Sequence, residues 1–286
     1  MSQPQSVRPI SKDTRLCISL AERPSNFGTR FHNFLYAELG LDYIYKAFTT
    51  ADLGAAIGGV RALGIRGCAV SMPFKEACIP FLDELTPSAA AIGSVNTIVN
   101  DAGVLRAYNT DYLAVRQLIE EYRLSPDLTF ALRGSGGMAK AVAAAFRDAG
   151  FGGGAVVARN ETAGRALAHG CGYSWQPELA GMRPELLINV TPLGMEGGPE
   201  AEELAFVPEA IIAARTIFDV VAHPAETPLV RAGWAAGKRV ISGAEVSVRQ
   251  ALEQFVLYTG LRPAAEQVAR AAAFAEAEDS QAPSPG

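Results

Sequence analysis

The run Arg133-Gly134-Ser135-Gly136-Gly137-Met138-Ala139 joins an apolar stretch to an alanine-rich one through closely spaced glycines. Between a strand and a helix, such a turn does phosphate chemistry. Gly134 permits the tight turn, Gly136 lets backbone N–H groups approach phosphate oxygens, and Ala139 lets the following helix lie close to the sheet. Glycine turns are also common in chains rich in glycine, so the flanks have to decide. Leu128 to Leu132 reads as the strand before the turn and Met138 to Asp148 as the helix after it, closed by Gly150. A second apolar strand, Gly154 to Ala158, ends at Arg159. A carboxylate at that position would accept from a free ribose 2′-OH, whereas an arginine pairs with a 2′-phosphate, so Arg159 favours NADP over NAD. Its plainer use is that of a solvated loop arginine.

A second group of chemically able residues lies earlier. Ser71-Met72-Pro73-Phe74-Lys75 follows an apolar strand directly and puts Lys75 at a strand's carboxyl end, where α/β sheets bind ligands. Asn96 and Asp111 occupy turn-flanked positions in Gly93-Ser94-Val95-Asn96-Thr97 and Tyr108-Asn109-Thr110-Asp111. A lysine near a carboxylate can relay a proton to or from an alcohol being oxidised, which hydride transfer to a nicotinamide requires. Each also has a structural use: a surface lysine, an Asx-turn asparagine, and an N-cap aspartate before a helix from Tyr112 to Glu121.

The elements that must position these groups alternate. Leu16 to Leu20, Tyr43 to Phe48 and Gly67 to Ser71 read as strands, with helices over about 29–39 and 50–63 between them. After the glycine turn, strands follow at Leu186 to Val190, Thr216 to Val220 and Arg239 to Ile241, then a long helical stretch over 247–259 and 263–275. This patterning predicts α/β architecture with mainly parallel sheets, arranged as two domains with a substrate cleft between them. With 286 residues, 49% of them hydrophobic, the chain can bury a sizeable core. A net charge of −5 without a basic block argues against nucleic acid as partner. Cys17, Cys68, Cys78 and Cys171 are dispersed, which predicts buried thiols in a reducing, cytoplasmic compartment. His32, His169 and His223 show no metal-ligand spacing, so no metal is expected. The first residues lack an apolar leader pattern and no long apolar run occurs, so neither a signal peptide nor a membrane partner is expected. The first dozen residues and the end from about Ala275 read as frayed.

Taken together, these segments make the chain resemble the shikimate dehydrogenase family, and more closely its divergent shikimate dehydrogenase-like branch. The resemblance runs from about Leu16 to Gly260 and rests on Phe31-His32-Asn33, Leu39 to Tyr43, Val70 to Lys75, Ile92 to Thr97, Asn109-Thr110-Asp111, the glycine turn, Asn189 to Met195, Asp219-Val220-Val221 with Pro224 and Thr227-Pro228-Leu229, and Gly243 with Gln250. It implies a substrate domain formed by 1–111 and 247–286, and a Rossmann-type NADP-binding domain over 112–246. The implied reaction is NADP-linked oxidation of a ring hydroxyl on a cyclic polyol carboxylate, such as shikimate, and its reverse. By position, Lys75 would handle the hydroxyl proton and Asp111 would orient lysine and substrate. Asn96 and Gln250 would hold ring hydroxyls, and Ser71 would keep a hydroxyl where the family usually has threonine. Gly134, Ser135, Gly136, Gly137, Met138 and Ala139 would bind the pyrophosphate, Arg159 with Asn160 the 2′-phosphate end, and Val220 and Gly243 would lie by the nicotinamide. A small-molecule substrate and a monomer or homodimer complete the expectation.

The departures are as informative. The family usually presents two serines to the substrate carboxylate where this chain has Asn26 and Gly28. Each lost hydrogen bond to a charged group costs roughly 1.5 to 3 kcal/mol. Ala69, Ala222 and Glu245-Val246 also replace the usual residues, and Ala163 stands where a second arginine commonly follows Arg159, with Arg165 two positions late. The proton-transfer pair and the phosphate turn are kept. The pattern therefore predicts retained chemistry on shikimate or on a changed substrate, quinate or an amino-substituted analogue; the rival is a regulatory NADP-binding protein without activity.

Overall fold

The computed structural model describes residues 10–279. The expected fraying of the first residues falls largely outside that range. At the other end, helix continues through Asp279 rather than loosening at Ala275. The described residues form two compact units, one comprising residues 10–89, 95–108 and 251–279, the other 90–94 and 109–250.

The first unit contains β1 (Arg15–Leu20), α1 (Phe27–Glu38), β2 (Tyr43–Phe48), α2 (Leu53–Ala62), β3 (Gly67–Val70), α3 (Phe74–Ala77), β4 (Glu84–Leu85), and, after α4 (Pro87–Ile92), the pair β5 (Thr97–Asp101) and β6 (Val104–Tyr108). Its sheet runs β2-β1-β3-β5-β6-β4. β1 pairs in parallel with β2 and β3, but β5 is antiparallel to both β3 and β6. With β4 parallel to β6 as well, three of the five pairings are parallel, so the sheet is mainly parallel, as expected, with an antiparallel hairpin set into it. The β5–β6 hairpin closes tightly because Asn100 Oδ1 accepts from the Gly103 N–H (2.8 Å) while its Nδ2 donates to the Val60 carbonyl (2.8 Å). Ile18, Leu20, Ile57, Val60, Val70 and Ile98 fill the core beneath the sheet.

Two neighbours in α1 explain how that helix is fixed. His32 is fully buried and stacked on Tyr45, ring centroids 4.5 Å apart, within a group of aromatic rings that includes Tyr36, Phe255 and Tyr258. Burial, opposed by the Gln254 side chain, brings its pKa down to about 3, so it is a neutral packing group. Asn33 donates from Nδ2 to the Tyr45 carbonyl (2.8 Å) and accepts at Oδ1 from the Tyr45 N–H (2.9 Å). One amide thereby pairs the outward-facing backbone groups of an edge strand.

The second unit holds α5 (Thr110–Glu121), β7 (Phe130–Arg133), α6 (Gly137–Asp148), β8 (Gly154–Val157), α7 (Glu161–Cys171), β9 (Ser174–Gln176), β10 (Leu186–Asn189), α8 (Pro208–Ala213), β11 (Thr216–Asp219), α9 (Pro228–Ala235), β12 (Arg239–Ile241) and the start of α10 (Gly243–Thr259); α11 (Ala265–Asp279) belongs to the first unit. The sheet, β12-β11-β10-β7-β8-β9, is parallel throughout. Both faces are covered: Phe130, Leu132, Phe146 and Ile188 pack on one side, Ala131, Leu187, Ile217 and Leu229 on the other. Helix α10 begins four residues before the expected Ser247, because Glu245 reaches back to accept from the Ser242 N–H (2.9 Å) and hydroxyl (3.0 Å). That is half of a capping box.

Cys17, Cys68 and Cys78 are buried, as expected, whereas Cys171 is half-exposed. Among the described residues no helix is long and apolar enough to cross a membrane, and no cluster of three or more His, Cys, Asp or Glu could hold a metal.

The Asn33 amide generates a prediction. Asn33→Leu leaves a donor and an acceptor unpaired and should lower stability by about 2 to 4 kcal/mol, read as a fall in urea midpoint with an unchanged slope.

Candidate active site

In the first unit, three loops are tied together at the carboxyl ends of β1 and β3. The Ser71 N–H donates to the Leu20 carbonyl (2.9 Å) and the Glu22 N–H to the Met72 carbonyl (3.0 Å). Lys75 lies one turn beyond the strand end, in α3, and its carbonyl accepts from the Val95 N–H (2.8 Å). The Asn96 carbonyl in turn accepts from the Val70 N–H (2.8 Å). Ser71, Lys75 and Asn96 are therefore brought to one edge. Ser71 is exposed, Lys75 partly so, and Asn96 is fully buried. Thr97 donates its hydroxyl to Asn96 Oδ1 (2.9 Å), and Gln254 Nε2 donates to the Thr97 hydroxyl (3.2 Å). Gln254 carries no part in the sequence reading, yet it braces the side chain beside it. Its signal was its spacing, one helical turn after Gln250.

Asn26 and Gly28 open α1. Asn26 stands at the N-cap position without a side-chain capping bond and is exposed. A Cβ built on Gly28 would meet the Tyr45 hydroxyl at 3.5 Å, an ordinary contact, so no steric demand requires glycine there.

In the second unit the cap of α5 is Asn109, not Asp111. Its Oδ1 accepts from the Tyr112 N–H (3.0 Å) and its Nδ2 donates to the Ser94 carbonyl (2.8 Å). Asp111 lies inside the first turn, buried, and is spared the capping role. Gln250 lies on α10, partly buried.

The strand-to-helix turn follows the expected path. Gly134 has φ +129°, and a Cβ there would come within 2.8 Å of Val190 Cγ2 and 3.2 Å of the Val190 carbonyl, so only glycine fits. Gly136 takes the N-cap place of α6, with nothing within 4 Å of where its Cβ would be. Ser135, Gly137 and Met138 are partly exposed around it, while Ala139 is fully buried against the sheet. An open helix N-terminus beside a crowded glycine fits a pyrophosphate. Arg159 is exposed at the end of β8, and Asn160 caps α7 by accepting from the Ala163 N–H (3.0 Å). With Arg133, Ser135 and Glu200 they line a cavity of about 320 Å³.

A buried network organises the rest of this edge. Asp219 ends β11 and accepts from Thr227 (2.6 Å), Asn189 (3.0 Å) and the Val221 N–H (3.1 Å). Asn189 also donates to the Leu193 carbonyl (3.3 Å) and accepts from the Thr191 hydroxyl (2.6 Å). The loops after β10 and β11, including Val220, are thus held by two side chains. Gly243 completes the arrangement, since a Cβ there would collide with the Val221 carbonyl. Burial pushes the Asp219 carboxyl up to about 6 although its three hydrogen bonds oppose the shift. Glu245 is not simply part of a rebuilt pocket: besides capping α10 it accepts from the Tyr122 hydroxyl (2.7 Å).

Comparison with known proteins adds to this geometry. A family model described as the shikimate dehydrogenase substrate binding domain matches residues 27–98. A shikimate dehydrogenase-like protein of Haemophilus influenzae is 59% identical over 266 residues, 93% of this chain and 98% of its own length. A shikimate dehydrogenase (NADP(+)) of Moorella thermoacetica is 39% identical over 246 residues, 80% of this chain and 82% of its own. The solved structure of a shikimate 5-dehydrogenase from Thermus thermophilus in complex with NADP(H) and shikimate is 29% identical, with a TM-score of 0.82 over 91% of this chain and 99% of that one.

Asp219 yields a pH prediction. Its folded pKa of about 6 lies above that of a free carboxyl, so the folded state holds the proton more tightly and this group's stabilising share is lost as pH rises from about 4 to about 6. Asp219→Asn should be less stable than the parent at neutral pH, because an N–H₂ replaces one of the two acceptor oxygens and cannot accept from whichever donor, Thr227 or Asn189, faces it. The difference between the two proteins' urea midpoints should change over that pH window and stay flat above pH 7.

Proposed function

The chain belongs to the shikimate dehydrogenase family, and from that we propose that it is an NADP-dependent oxidoreductase acting reversibly on a ring hydroxyl of shikimate or a related cyclic polyol acid. The observation that carries the reading is Lys75, held by its own carbonyl to the segment that bears Asn96. We assign residues 1–111 with 247–286 to the substrate and 112–246 to the dinucleotide.

Bound NADP supplies a two-electron acceptor at its nicotinamide. In the oxidative direction Lys75 takes the proton from the reacting hydroxyl as hydride leaves the carbon for the nicotinamide; in reduction Lys75 returns it. Asp111, in the first turn of α5, orients the lysine and the substrate hydroxyl. Asn96, its amide fixed by Thr97, and Gln250 hold ring hydroxyls, and Ser71 adds a hydroxyl donor. Backbone N–H groups from Gly134 to Ala139 hold the pyrophosphate, with Ser135 and Met138 flanking it. Arg159 and Asn160 face the 2′-phosphate. Val220 and Gly243 shape the nicotinamide end, placed by the Asp219 network.

The substrate's carboxylate is where this chain departs from its relatives. Asn26 offers one amide in place of a hydroxyl and Gly28 offers none, which favours slow turnover of shikimate and faster turnover of an analogue with a different head group.

Following NADPH absorbance with shikimate, quinate and amino analogues tests the reading. Turnover should appear with at least one of them, and Lys75→Ala should lower kcat by about 10² to 10⁴-fold. Tight NADPH binding with no turnover of any of them would instead establish a regulatory protein. Restoring both hydroxyls, in Asn26→Ser with Gly28→Ser, should lower KM for shikimate by roughly tenfold or more, since each charged hydrogen bond regained is worth about 1.5 to 3 kcal/mol.

A further inference from the structure

We propose that Arg133 is the second arginine of the 2′-phosphate site, binding that phosphate together with Arg159, and that Glu200 is the counter-charge the phosphate displaces. The inference rests on the NADP reading above and names the residues that would enforce it.

The family pattern that this chain resembles implies a second arginine where Ala163 stands, and Arg165 does not take its place. Its guanidinium is committed to its own helix, paired with Glu161 (2.8 Å) and lying 4.2 Å over the Trp175 ring. Arg133 comes instead from the strand before the glycine turn. Alternation along β7 sends Phe130 and Leu132 to one face and Ala131 to the other, so Arg133 follows Ala131. There it is partly buried, with Nη1 donating to the Ala205 carbonyl (2.5 Å). It lines the same cavity as Ser135, Arg159, Asn160 and Glu200.

Placing a guanidinium at the end of a buried strand is costly, and placing it near a second one adds to the cost. Burial and the charge of Arg159 both make Arg133 give up its proton more readily than a free arginine. Glu200 and Glu203 offset that field. Glu200 lies 3.7 Å from Arg159, whose side chain is 84% exposed, a loose surface pair of little intrinsic strength. A phosphate dianion offers both guanidiniums a closer partner with more acceptors than one carboxylate provides. NAD lacks that group, so it gains nothing from Arg133 and leaves the Arg159–Glu200 pair in place. The discrimination between the two cofactors is thus shared by a strand-end arginine and an acidic competitor.

Calorimetric titration with NADP⁺, NAD⁺, 2′,5′-ADP and 5′-AMP separates the possibilities. Arg133→Met should weaken NADP⁺ and 2′,5′-ADP by about tenfold or more while NAD⁺ and 5′-AMP stay within about threefold, the latter pair also reporting that the fold is intact. Arg133→Lys should recover part of the loss. Glu200→Gln should tighten NADP⁺ by about threefold or more and leave NAD⁺ unchanged. Equal weakening of both cofactors in Arg133→Met, or no change in either, overturns the proposal while leaving NADP use intact. If the parent protein binds NADP⁺ no more tightly than NAD⁺, the NADP reading itself fails and takes this one with it.

Discussion

A parallel strand covered on both faces has nowhere to put a polar side chain except at its end, and that constraint orders the second unit. β7, β10 and β11 are apolar over most of their length and finish in Arg133, Asn189 and Asp219. The pairing register puts Arg133 beside Asn189, and Asn189 beside Asp219. The three residues form a row along one edge because the ladder allows no other alignment. The loops proposed for the pyrophosphate and the nicotinamide hang from that row: the glycine turn starts at one end of it, and the loop that Gly243 packs against starts at the other.

The row also divides labour. Asn189 and Asp219 spend their hydrogen bonds on backbone and on each other, fixing Thr191, Leu193, Val221 and Thr227. They are scaffolding with polar chemistry. Arg133 donates to the Ala205 carbonyl and shares its surroundings with Arg159. A similar economy marks the first unit, where Gln254 and Thr97 brace Asn96.

Much of this was legible in the sequence. β2 and β12 fall on the expected residues, and the strands of the second unit end within a residue or so of where apolar runs give way. Periodicity worked there because a doubly covered strand has to be a continuous apolar run. The β5–β6 hairpin was not foreseen, since its turn at Asn100-Asp101-Ala102-Gly103 depends on a side chain reaching Val60 in a distant helix. The start of α10 was missed although Ser242 and Glu245 have capping-box spacing. Arg133 escaped notice because, within a glycine motif, attention falls on the glycines. The role of Asp219 needed the third dimension, as its partners lie 30 and 8 residues away.

One consequence lies outside the chemistry altogether. β2 is the outermost strand of its sheet, and an outermost strand normally presents a row of backbone donors and acceptors on which a neighbouring chain can build. Asn33 covers that row at Tyr45 with a single amide, and the aromatic stack of His32 on the same residue holds the helix in place to do so. His32 and Asn33 thus act as a seal against intermolecular strand addition. Loss of the asparagine would be felt as self-association at high concentration as well as in the melting of one molecule.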